Sequence, residues 1–136
     1  MLFTQNSEVD IHEMSPLALA FVGDAVLELL VRARLVGTTR LQPNRLHTVA
    51  THYVSAHAQN LELAVIEPML TDAEAAVLRR GKNASKATVA CLATVQEYRA
   101  STGFECLLGW LYLTGQMARV EELFDALWQQ FDPNQK

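Results

Sequence analysis

Cysteine is almost missing from this chain of 136 residues. Only Cys91 and Cys106 occur, and neither forms a CxxC pair. This excludes a disulfide scaffold and points to a reduced, cytoplasmic setting. Long apolar runs are missing too: none reaches the ~18 residues of a membrane span without meeting a charge. The opening residues Met1-Leu2-Phe3-Thr4-Gln5-Asn6-Ser7-Glu8 lack a basic segment and a cleavage site, so no secretory leader is expected. There is no glycine-rich phosphate loop, no recognisable Ser or Cys nucleophile arrangement, no internal repeat and no strand-like alternation. The histidines His12, His47, His52 and His57 lack zinc-ligand spacing. The last three are five apart, about 140° per step around a helix, so they share no face. They read as structural or surface residues.

Half of the residues are hydrophobic and 19% are charged. That is the composition of one ordinary globular domain with a sizeable core. A loose lead-in is expected over 1–13, the folded domain over 14–131 and a tail over 132–136. The net charge of −4 argues mildly against a nucleic-acid partner, but its distribution argues the other way. Between positions 79 and 99 five bases face one acid, a net of +4. The remainder carries six bases and fourteen acids, a net of −8. Such segregation marks a basic patch.

The pattern predicts an all-α domain of five to seven helices. Ser15 caps the first and Pro16 occupies its first turn; Gly37 is expected to end it. Pro43-Asn44 opens a second helix to about residue 54, continued to about 66 after a kink near Ser55. Thr71-Asp72-Ala73-Glu74 starts another, which Gly81 is expected to close. Residues 82–95 read as a loop or broken helix. A further helix covers 96–113, Thr114-Gly115 breaks it, and an amphipathic helix fills 117–130.

Two acids stand out. Asp24 sits in Leu17-Ala18-Leu19-Ala20-Phe21-Val22-Gly23-Asp24-Ala25-Val26-Leu27-Glu28, with apolar flanks on both sides. Partial burial is therefore expected, and a buried carboxylate needs a partner, hydrogen bonds or a metal. Glu28 shares its face, but Arg32 stands four residues on, so Glu28 is assigned to an ordinary ion pair. Glu105 is the one charge in Phe104-Glu105-Cys106-Leu107-Leu108-Gly109-Trp110-Leu111-Tyr112-Leu113. Each of the two helices also has an interior glycine, Gly23 or Gly109, costing ~1 kcal/mol relative to alanine. Either these are two unrelated core helices with stray acids, or they cross at the glycines and bring the carboxylates together. In the second case repulsion would raise a pKa unless a cation lay between them, and Mg²⁺ suits paired carboxylates.

The basic segment is Arg79-Arg80-Gly81-Lys82-Asn83-Ala84-Ser85-Lys86, followed by Tyr98-Arg99-Ala100-Ser101-Thr102. Bases mixed with Asn, Ser and Thr suit phosphate contacts, although most basic runs are solvated faces. This one leads directly into the Glu105 helix.

Together these stretches resemble the catalytic domain of the ribonuclease III family. The Gly23–Glu28 run is similar to its signature helix, and Phe104-Glu105-Cys106-Leu107-Leu108-Gly109 to its second acidic motif. Leu17-Ala18-Leu19-Ala20, Pro43-Asn44-Arg45-Leu46-His47, Arg80-Gly81-Lys82-Asn83-Ala84 and Tyr98-Arg99-Ala100-Ser101-Thr102 resemble the Mini-III branch, which lacks a double-stranded-RNA-binding domain. The resemblance spans roughly residues 15–125. Two acids of full-length ribonuclease III are replaced, by Ala20 and Thr102, as in that branch; this leaves one or two metals per centre open. The stretch Ala87-Thr88-Val89-Ala90-Cys91 is less basic than the branch leads one to expect.

The resemblance implies a homodimeric, Mg²⁺-dependent endonuclease of double-stranded RNA leaving 5′-phosphate ends. It implies a cytoplasmic role in maturing 23S ribosomal RNA precursor, with a ribosomal protein as a possible partner. Asp24 and Glu105 would be the catalytic and metal-binding residues. Arg79, Arg80, Lys82, Asn83, Lys86, Tyr98, Arg99, Ser101 and Thr102 would contact RNA. The alternative is a non-catalytic RNA-binding or ribosome-associated dimer on the same fold.

Overall fold

The computed structural model describes residues 10–85 and 94–131, and the described residues are helical throughout, with no strand. Six α-helices follow in order: α1 (Pro16–Thr38), α2 (Pro43–Val54), α3 (Ala56–Ile66), α4 (Asp72–Ala84), α5 (Val95–Leu113) and α6 (Met117–Phe131). Short 3₁₀ turns lie at Ile11–Glu13 and Glu67–Met69. No described helix is long and apolar enough to cross a membrane. Lys86, Cys91 and the Ala87–Cys91 stretch lie outside the described residues, as does the tail from 132.

Local chemistry sets the helix starts. The Ser15 hydroxyl accepts from the Ala18 N–H at 3.1 Å, and Pro16 needs no hydrogen bond in the first turn. Thr71 with Glu74 and Thr94 with Glu97 form complete capping boxes on α4 and α5. Ser55 caps α3 and ends α2, producing the expected kink. Gly115, at φ 77°, turns the chain from α5 into α6.

Two helix ends differ from expectation. α1 runs through Gly37 to Thr38, and α4 runs through Gly81 to Ala84. Gly81 ends nothing because it is a packing residue. A Cβ there would lie 2.8 Å from Gly103 Cα and 2.6 Å from Cys106 Cβ. Glycine is required for helix approach, not for the stop that the sequence suggested.

α5 is the axis of the fold. It contacts α1 along one side and α4 along another, with α3 closing a third. Phe104, Leu107, Leu108 and Leu111 are fully buried along it. α6 adds Val120, Leu123, Phe124, Leu127 and Trp128 as one apolar stripe. Trp128 stacks on Tyr53 of α2 at 4.8 Å, and the Arg34 guanidinium covers the Phe124 ring at 5.0 Å while pairing with Asp125 at 2.5 Å. Arg119 of α6 clamps Glu74 of α4 with two hydrogen bonds of 2.9 Å and also reaches the Met69 carbonyl at 2.7 Å. Chiefly that clamp, with the capping contacts, holds the Glu74 carboxyl below its ordinary range.

Candidate active site

The site exists because two helices touch backbone to backbone. A Cβ on Gly23 of α1 would lie 1.7 Å from the Glu105 carbonyl oxygen of α5. One on Gly109 would lie 1.9 Å from the Leu19 carbonyl oxygen. Neither position admits any side chain. Of the two readings left open by the sequence, the crossing is the one that occurs. It brings Asp24, next to Gly23, close enough to Glu105 for its charge to act on that carboxyl.

The two acids are not equivalent. Glu105 is half-buried, whereas Asp24 is exposed, contrary to the expected partial burial. The reason is that Leu19, Ala20, Val26 and Leu27 go to the core while the apolar residues on the face of Asp24 do not. Phe21 is 83% exposed, and Leu17 and Leu29 are exposed as well. Asp24 stands three residues after Phe21 and seven after Leu17, on the same helical face. An apolar neighbourhood in sequence was therefore an apolar surface in space.

Burial pushes the Glu105 carboxyl from its ordinary 4.5 up to about 7. A hydrogen bond from Gln59 opposes that rise, and repulsion from Asp24 and Glu28 adds to it. Glu28 is bound to Arg32 at 2.9 Å, as its spacing predicts, yet it still contributes to the field at Glu105. A half-buried carboxylate facing a second one is a fitting seat for a hard divalent cation, whose charge removes the repulsion. Among the described residues no group of three or more His, Cys, Asp or Glu gathers around a metal-sized space, so the protein's share would be these two carboxylates.

The basic segment lies at the end of α4 and the start of α5. Arg79 and Arg80 are exposed and form no ion pair among the described residues. Lys82 is 3.8 Å from Glu67. Arg99 is exposed but donates to the Lys82 carbonyl at 3.1 Å and to Asn83 Oδ1 at 3.0 Å, tying α5 to the last turn of α4. Tyr98 is exposed. Ser101 and Thr102 are buried instead, and both hydroxyls donate to the Tyr98 carbonyl, at 2.8 and 3.0 Å. Thr102 also reaches the Ser85 hydroxyl at the end of α4, at 3.3 Å. Of the histidines, His57 is an exposed partner of Glu97.

Sequence reasoning missed two polar residues of α3. Gln59 and Glu62 are each 1% exposed. Gln59 Nε2 donates to Glu105 Oε2 at 3.1 Å. Both Glu62 oxygens lack a hydrogen-bond partner among the described residues, and burial pushes its pKa up to about 9. The available signal was the inner stripe of α3, Gln59, Glu62, Leu63 and Ile66, in which two polar residues occupy apolar positions at helical spacing.

The ribonuclease III domain matches residues 17–116, most of the chain. The chain is 46% identical to the Mini-ribonuclease 3 of Enterococcus faecalis over 118 residues, covering 85% of this chain and 89% of that one. It is 41% identical to the Mini-ribonuclease 3 of Streptococcus pneumoniae over 117 residues, covering 85% and 91%. The X-ray crystal structure of protein FN1578 from Fusobacterium nucleatum superposes with a TM-score of 0.79 at 27% identity, covering 89% of this chain and 97% of the other. On its glycine-locked acid pair, its helical architecture and these matches, the chain belongs to the ribonuclease III family of endoribonucleases, in the Mini-ribonuclease 3 branch.

Proposed function

We propose that this protein is a Mg²⁺-dependent endonuclease that cleaves double-stranded RNA as a homodimer and matures the ends of 23S ribosomal RNA precursor. The observation that carries the reading is the meeting of Asp24 and Glu105 across the Gly23–Gly109 contact. The two carboxylates would hold the cation. Bound there, a divalent ion supplies water activation and neutralises charge developing at phosphorus. A positive charge beside half-buried Glu105 would offset the burial that raises its proton affinity. Exposed Asp24 leaves one side of the pair open to a phosphodiester.

Arg79 and Arg80 would meet backbone phosphates, with Lys82, Tyr98 and, from outside the described residues, Lys86 as further expected contacts. Arg99 and Asn83 hold the two helices that present this surface. Ser101 and Thr102 would support RNA binding only indirectly, through the Tyr98 turn. Few bases and no base-reading groups suit recognition of duplex shape, with steep salt dependence.

The exposed stripe of Leu17, Phe21 and Leu29 supports dimer formation through α1. A two-fold axis would set the same stripe against itself and supply two centres, one per strand. The 23S assignment and a ribosomal protein partner rest on the resemblance to the Mini-III branch. The test is incubation of purified protein with duplex and single-stranded RNA, with Mg²⁺ or a chelator, followed by end analysis. Cleavage confined to duplex and Mg²⁺, with 5′-phosphate ends and loss in Asp24→Asn, is expected. Duplex binding without cleavage under any divalent ion would overturn it in favour of a non-catalytic RNA-binding dimer.

A further inference from the structure

We infer that Gln59 is a positioning residue for Glu105, installed by the kink between α2 and α3. This rests on the reading of Glu105 as a metal ligand. The argument begins with a broken backbone hydrogen bond. In an uninterrupted helix the Val54 carbonyl would accept from the Ala58 N–H. Here the Ala58 N–H turns to the Ser55 hydroxyl instead, at 3.1 Å, because Ser55 restarts the helix as an N-cap. The Val54 carbonyl then takes a replacement donor, Gln59 Nε2, at 2.9 Å.

A side-chain amide nitrogen carries two hydrogens. One is spent on Val54, and the other points at Glu105 Oε2 at 3.1 Å. The Val54 carbonyl can only accept, so the amide nitrogen lies between it and the Glu105 oxygen, while Gln59 Oε1 has no hydrogen-bond partner among the described residues. At 1% exposure no bulk water competes for either bond. The kink thus supplies a rigid neutral donor that fixes one oxygen of the α5 carboxylate. A neutral donor suits this place. A lysine or arginine would satisfy the carboxylate's charge and remove its demand for a cation, while an apolar residue would leave it free to rotate. Gln59 touches neither phosphate nor cation in this arrangement; it acts through Glu105, in the manner of groups that orient ligands from behind.

The test compares Mn²⁺ binding, read by the electron paramagnetic resonance of the free ion, with RNA cleavage in the full chain. The variants are Gln59→Met, which keeps the shape without the donor, and Gln59→Asn, which withdraws the amide by one methylene. Glu105→Gln serves as the control. Both Gln59 variants are expected to bind Mn²⁺ about 10–100-fold more weakly. Their kcat at limiting Mg²⁺ should fall, recovering at high Mg²⁺, with the KM for RNA within about twofold of the parent. If Glu105→Gln loses Mn²⁺ while both Gln59 variants bind it as the parent does, the positioning role is overturned, whatever happens to their melting temperature. If Glu105→Gln itself retains Mn²⁺, the metal-ligand reading fails and the inference falls with it.

Discussion

Asp24 and Glu105 look like twins in sequence and live in different solvents. Each is a lone acid beside an interior glycine in an apolar helix. α5 is enclosed by neighbouring helices, so Glu105 is half-buried and its proton affinity rises. α1 is covered on only one side, so Asp24 stands among exposed apolar residues. The same local pattern therefore encodes a buried acid in one helix and the rim of a surface stripe in the other. The difference lies in how many neighbours each helix has, which no window of sequence contains.

The sharpest break of this comparison is to neutralise each acid in turn. Asp24→Asn and Glu105→Gln should both lower cleavage of duplex RNA by ~10³-fold or more, about 4 kcal/mol of lost charge stabilisation. They should part company in stability. In the folded chain Glu105 holds its proton up to about 7 against an ordinary 4.5. The native state therefore binds more protons than the unfolded one, and stability declines as pH rises through that window. Glu105→Gln should remove the decline and gain roughly 2 kcal/mol at pH 8, whereas Asp24→Asn should leave the urea midpoint nearly unchanged. Equal stability shifts in the two variants would erase the distinction between them.

Next in size is the glycine contact that makes the acids neighbours. Gly23→Ala sets a methyl 1.7 Å from the Glu105 carbonyl oxygen, with no flexible side chain to yield. A loss of about 3 kcal/mol or more is expected in denaturant unfolding, with cleavage lost alongside. Gly37 has nothing within 4 Å of the same position, so Gly37→Ala should gain up to about 1 kcal/mol from helix propensity. If both alanines behave alike, close approach is not what selects glycine at position 23.

Glu62 extends the contrast to an acid buried with no partner at all among the described residues. Its proton affinity, raised to about 9, penalises the folded state increasingly as pH rises above 4.5. Glu62→Leu should therefore stabilise the chain by roughly 2–4 kcal/mol at pH 8 and much less at pH 5, by urea unfolding at both values. A gain independent of pH would mean that the carboxyl is ionised or solvated in the fold.

The smallest effect tests the surface side. Phe21→Asp places a charge on the most exposed apolar residue of α1. On the proposed dimer, sedimentation should then shift toward monomer, a loss of about 2 kcal/mol or more of association energy, while the melting of the isolated chain changes little. A dimer that survives the substitution would move the interface away from this stripe.

Much of this protein was legible in its sequence. Ser15-Pro16, Pro43, Thr71 with Glu74 and Thr114-Gly115 set helix boundaries because caps and turns act within a few residues. The Glu28–Arg32 pair followed from spacing alone, and the paired acid-and-glycine motifs carried the family while leaving the crossing as one of two readings. Where the sequence misled, the deciding contact was distant. Gly81 reads as a stop but serves as a seat for Gly103 and Cys106. Gln59 reads as one more polar residue until the kink at Ser55 turns its amide toward Glu105. The sequence alone determined where helices begin and which face of each is apolar, because these depend on neighbours within a turn or two. Only the tertiary structure decided which apolar face is core and which is open surface, and which polar side chain is spent on protein. Those outcomes depend on which helices stand against one another.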